Sequence, residues 1–219
     1  MIMPFKSLLA LLFVTAQLTT AIHVTHVSDC GVNRGCWRVP EGCTNSADCK
    51  AIVTWRHHRT SLTIELEAGL QNEGNDEWIG VGFSKDRQMG NDTVFECHFS
   101  ETTPSTAYLS HNSAKRNVVL EKASSLLLKD AYAERFDGRG ICGAEWKLDN
   151  FALSSEDKRL VHIISSGQYY LMIATGNLQK GKKEMHKMSG KLAPWISNEP
   201  TRFCHRCSAS VNNIDFVKA

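Results

Sequence analysis

Met89 stands where a methionine has little reason to be. It lies in "GFSKDRQMGND", residues 82 to 92, a charged and glycine-containing stretch between two apolar runs. A thioether is a soft donor suited to a transition metal. A ligand must stand clear of its own core, so a turn just past a strand end is a sensible address. The plainer role for one such methionine is a surface residue or a flap over an apolar patch. Two positions on, Asn91-Asp92-Thr93 is the only Asn-x-Ser/Thr sequence in the chain. Asn91 is therefore the expected glycosylation site of a secreted protein, and Asp92 suits a cap on the turn.

Other residues invite less chemistry. His57 and His58 in "TWRHHRT" read as exposed or hydrogen-bonded, and His162 reads as a strand residue. His186 follows a glycine turn and lies between Met185 and Met188. Glu65 and Glu67 fall on the polar face of a strand and read as solvated. "CHRC", residues 204 to 207, lacks the strand-then-helix setting of a redox motif and reads as structural disulfides. No phosphate loop, Gly-x-Ser-x-Gly elbow or His-Glu-x-x-His motif is present. With no acid–base or nucleophile constellation visible, catalysis by this chain alone is not expected.

Composition bounds the rest. The 219 residues are 42% hydrophobic and 22% charged, with a formal charge of +2. These are globular values, and the balance is too even to argue for nucleic acid as a partner. Residues 1 to 21 carry Lys6, a short apolar run from Leu8 to Val14, and small residues at Thr19 and Ala21. They read as a secretory signal peptide. The run is shorter than the ~20 residues of a spanning helix, so a protein that does not span the membrane, secreted to the outside of the cell, is expected. Eight cysteines, an even count, all follow that segment and read as disulfides.

Residues 22 to 50 form a cysteine-dense, turn-rich leader in which regular structure should be sparse. Residues 51 to 207 form the domain, and 208 to 219 a tail. "LTIELEAGL" (62–70) alternates apolar and polar residues, the period of a half-buried strand. Residues 78–83, 93–99, 105–111, 116–120, 159–167 and 168–176 read as further strands, and 121–135 as a short helix or as loop and strand. Short alternating strands separated by turns predict a two-layer antiparallel sandwich.

A cysteine leader, "WIGVGFS", an "MGND" turn and an alternating strand together resemble the DOMON domain family, closest to the extracellular modules of ferric-chelate-reductase-like proteins. "YYLMIATGNLQKGKKEMH" resembles that family's strand, glycine turn and returning histidine. The likeness covers roughly residues 29 to 207. It implies an all-β, immunoglobulin-like β-sandwich behind a disulfide-rich leader. It also implies haem b as a cofactor, with Met89 and His186 as the axial iron ligands and His162 as an alternative. Trp78, Phe83, Phe95 and Tyr170 would wall the macrocycle. A thioether opposite an imidazole favours reduced iron, which suits a carrier of single electrons with an unknown redox partner. The alternative is a haem-free extracellular module for a sugar, a small ligand or a protein. Family members often continue into a membrane-spanning cytochrome, and none follows in these 219 residues, so ferric reduction by this chain itself is not expected.

Overall fold

The computed structural model describes residues 27–71, 76–186, 188 and 193–203. The signal segment and the "CHRC" motif lie outside the described residues.

Alternation builds the strands. In β3 (Ser61–Gly69), Leu62, Ile64, Leu66 and Ala68 are buried, while Glu65 and Glu67 point to the other face. β4 (Glu77–Ser84) sends Ile79, Val81 and Phe83 inward, and β5 (Asp92–Phe99) sends Phe95, Cys97 and Phe99 inward. β6 (Thr106–Ser113) and β7 (Arg116–Val119) form a hairpin. The stretch 121–135 divides into α1 (Glu121–Leu127) and the start of β8 (Leu128–Phe136). β9 (Arg139–Lys147) returns beside both β8 and β3.

All strand pairings are antiparallel, in two sheets. The five-stranded sheet runs β1-β2-β3-β9-β8, with β1 at Gly35–Val39 and β2 at Ala51–His57. The eight-stranded sheet runs β11-β10-β4-β5-β6-β7, where β10 is Gln168–Gln179 and β11 is Lys182–Lys183. Two short strands, β12 (Trp195–Ile196) and β13 (Thr201–Arg202), also pair with β10. Apolar side chains of both sheets meet between the layers, where Phe83 packs edge-on to Trp146 and Phe203. Each fully buried side chain of this size stabilises by roughly 1.5–3 kcal/mol. The Cys97–Cys142 disulfide joins β5 to β9 and so ties one sheet to the other.

In the described part of the leader the sparse regular structure is one 3-10 turn and one strand: Gly35–Val39 pairs with β2, and Trp37 and Val39 are buried by it. Its turns lie on either side, closed by the Cys30–Cys36 and Cys43–Cys49 disulfides. Residues 159–167 are not a strand. They comprise the end of α2 (Asp157–Leu160), a short link and a 3-10 turn at Ile164–Ser166. The buried positions are Val161 and Ile164, three apart, whereas Ile163 between them is exposed. That is the spacing of a helical turn, not of a strand.

The three disulfides suit an extracellular location. Among the described residues no helix is long and apolar enough to cross a membrane.

Candidate functional site

The Met89 loop leaves β4 at Ser84 and enters β5 at Asp92. Its backbone is pinned on both sides of the methionine. Asp86 Oδ1 accepts the Gln88 amide at 2.7 Å, and Asp92 Oδ2 accepts the Gly90 amide at 2.8 Å, the cap expected of it. Asn112 Nδ2 also donates to Asp92 Oδ2, at 3.1 Å. Asn91 is exposed and adopts φ 55°, a left-handed conformation that asparagine tolerates. Arg87 reaches the other way. It donates to the Ser197 and Asn198 carbonyls at 3.3 and 3.1 Å and lies over the Tyr170 ring. Met89, between these anchors, is 38% exposed.

His186 is reached through the β10–β11 hairpin, which turns at Lys180 and Gly181 with positive φ. The Glu184 amide donates to the Asn177 carbonyl, and Trp78 Nε1 donates to the Glu184 carbonyl at 3.1 Å. His186 follows two residues later, half-buried and with interaction partners of its own. The chain rejoins β10 at Trp195, opposite Ile173.

The structure does not bring Met89 and His186 together. Glu184 sits level with Asn177, which pairs with Glu77 at the start of β4, whereas Met89 lies beyond Ser84 at its end. Eight strand residues cover roughly 23 Å, and two residues beyond Glu184 recover at most about 7 Å of that. The two also diverge sideways. Gly90 lies against Ala114 in the β6–β7 turn, while His186 leaves from the β11 edge. One iron ligated by both would hold the donor atoms within roughly 5 Å of each other. The donor types suit haem; their separation in this structure does not.

The expected aromatic wall is also divided. Phe83 and Phe95 have the inward parity of their strands and belong to the sandwich core. Trp78 has the opposite parity and lies on the outer face of the large sheet, with Lys183 Nζ 4.3 Å from its ring centroid. Its ring rests on Gly176, where an added Cβ would meet it at 2.7 Å. Tyr170 lies under Arg87.

His162 and His111 are both at the Met89 end, each beside Thr93. The His162 amide donates to Thr93 Oγ1 at 2.7 Å, and its ring lies edge-on to Tyr169. Burial, with Lys85 and His111 nearby, pushes its pKa down to about 4, so the imidazole is neutral at neutral pH. His58 is hydrogen-bonded to Thr63, in keeping with the modest role expected of it.

Sequence reasoning missed a buried polar network centred on Glu96. Glu96 is fully buried on the outer face of the large sheet. His98 Nε2 lies 2.8 Å from its Oε1, and Ser110 Oγ and Lys183 Nζ both donate to its Oε2. Asn117 Nδ2 extends the network to Ser110 at 2.8 Å and to Asn112 at 2.9 Å. Burial alone would raise the Glu96 pKa. The Lys183 charge, with His98, overcomes this and holds it at about 2. The available signal was that Glu96 and His98 share the outward parity of β5 with Val94; nothing local pointed to Lys183. Glu65 and Glu67 are not merely solvated either. Glu65 accepts Arg34 at 2.7 Å and Thr54 at 3.0 Å, and Glu67 is fully buried against Arg139.

The DOMON domain family model matches residues 47–176, more than half of the chain. "DOMON domain-containing protein FRRS1L" of Homo sapiens is 33% identical over 85 residues, covering 39% of this chain and 27% of that protein. "Putative ferric-chelate reductase 1" of Danio rerio is 24% identical over 175 residues, 78% of this chain and 28% of that protein. Its Drosophila melanogaster homolog is 25% identical over 171 residues, 74% of this chain and 24% of that protein. The chain thus spans about a quarter of the length of these relatives.

Proposed function

This chain belongs to the DOMON domain family, and from that premise we propose that it is a secreted, extracellular module that binds haem b and carries single electrons. Family and relatives make it a redox-related or ligand-binding module. The observation that carries the finer reading is Met89, a thioether kept at the surface by a loop anchored on both sides of it. This reading would need Met89 and His186 to hold the haem together, although they leave opposite ends of one ladder in this structure, and haem would supply one-electron chemistry when bound. The chain's own part is to present a soft sulfur from the β4–β5 loop and an imidazole from the segment after β11. Arg87 links that loop to the far end of the same returning segment, at Ser197 and Asn198. The electron donor and acceptor are unidentified redox partners. An N-glycan on exposed Asn91 belongs to the same proposal, with the glycan directed to solvent.

The distance between the two ligands favours a second reading, a haem-free module for a sugar, a small ligand or a protein partner. Titration of haem-free protein with haemin separates them. The haem reading expects one equivalent bound, a sharp Soret band, and low-spin α and β bands on reduction. Met89→Leu and His186→Gln should each abolish the low-spin spectrum. Retention of that spectrum in His186→Gln with its loss in His162→Gln would transfer the second ligand to the Met89 end. A folded protein that stays colourless with haem supplied leaves only the second reading.

A further inference from the structure

We propose that one chain of buried polar side chains couples the Met89 loop to the β10–β11 hairpin, so that the two segments loosen and tighten together. Every link in it is a hydrogen bond. The Gly90 amide donates to Asp92 Oδ2 at 2.8 Å, and Asn112 Nδ2 donates to the same oxygen at 3.1 Å. Asn117 Nδ2 donates to Asn112 Oδ1 at 2.9 Å and to Ser110 Oγ at 2.8 Å. Ser110 Oγ uses its one proton to donate to Glu96 Oε2. Lys183 Nζ, in β11, donates to that oxygen as well.

The route follows from the ladder. Asp92 and Glu96 lie on the outer face of β5 with Val94 between them. Four strand residues cover roughly 13 Å, and valine offers no hydrogen bond. The chain therefore detours through β6 and β7. Asn112 pairs with both Asp92 and Asn117, and Ser110 pairs with Val94. Asp92, Glu96, Ser110 and Asn112 are all buried. A buried group that loses its partner has no water to replace it, so a shift at one link is passed to the next. The donors also run in one direction, from Asn117 through Ser110 to Glu96, and each bond polarises the one after it.

The ends are the parts free to move. Residues 85–89 are exposed, and β11 is two residues long after the Lys180-Gly181 turn. Lightly packed segments of this kind open locally while buried strands stay closed. The coupling uses neither the Met89 nor the His186 side chain, and it needs no haem.

The test uses full-length haem-free protein, with amide hydrogen exchange followed by NMR. Lys183→Met releases the hairpin from Glu96. Exchange at Gly90, the other end of the chain, should quicken about fivefold, the effect of one buried hydrogen bond. Gly90 lies in a surface loop and exchanges by local opening, so a general loss of stability does not change its rate. Ser110→Ala cuts the chain in the middle. In that background the same Lys183→Met change should leave Gly90 exchange unaltered. If Lys183→Met loses the parent near-UV circular dichroism, Glu96→Gln/Lys183→Met takes its place, since it leaves no unpaired buried charge. An unchanged Gly90 rate on release of the hairpin, or an equal change with Ser110 removed, overturns the coupling.

Discussion

Each sheet buries an ion-paired carboxylate on the face turned away from the core, and the two are held in different ways. Glu67 of β3 pairs with Arg139 of β9, the adjacent strand, where Gly69 faces Arg139 in the ladder. Glu96 of β5 pairs with Lys183 of β11, across two intervening strands. The first pair is local to one ladder. The second spans half a sheet and fastens the last hairpin to its middle. Strand adjacency therefore explains the first pair. The second exists because a long lysine passes over Trp78 and reaches a carboxylate that two other donors already hold. A buried ion pair need not add net stability, but breaking one leaves an uncompensated charge.

The sharpest way to break the comparison is to remove each acid in turn. Glu96→Ala should destabilise by about 3–5 kcal/mol, because it strands a buried ammonium and two further donors. Urea unfolding followed by tryptophan fluorescence measures it. Glu67→Ala should cost less, about 2–3 kcal/mol. Arg139 opens β9 beside the Asp137-Gly138 turn and has a shorter route to water. Equal losses would mean that partner count and reach do not distinguish the two sites.

Acid should sharpen it further. The folded-state pKa of Glu96, at about 2, lies below its ordinary value of 4.5. Its contribution is therefore complete above pH 4.5 and is lost as the pH falls from there toward 2. Unfolding midpoints over that window should drop steeply in the parent and less steeply in Glu96→Gln. His162 adds a second slope at higher pH. Its folded pKa, near 4, lies below the ordinary 6.5, so stability also falls as pH drops through that interval. His162→Gln should remove that component alone.

Much of the sandwich was legible residue by residue. The alternation in 62–70 picked out the inward residues of β3, and 93–99 was legible as a strand, because one buried face imposes period two. The same rule misled at 159–167, where Val161 and Ile164 are buried by a turn. It was silent for β1, whose pairing with β2 depends on a contact outside its own cysteine-rich segment. The Met89 loop was legible as a loop, and its exposure follows from local hydrogen bonds. The position of His186 relative to it was not legible. That depends on where β10 pairs with β4 and how far β11 runs back, neither of which is written in the residues around the histidine.

From the sequence alone came the two-faced strands, the glycine and asparagine turns and the soft donors at surface positions, all of which depend on neighbours a few residues away. Only the tertiary structure decided that Lys183 meets Glu96, 87 positions apart, and that Met89 and His186 leave opposite ends of one ladder. Registers between distant strands are chosen by the total burial of both faces. No short stretch of chain contains that sum.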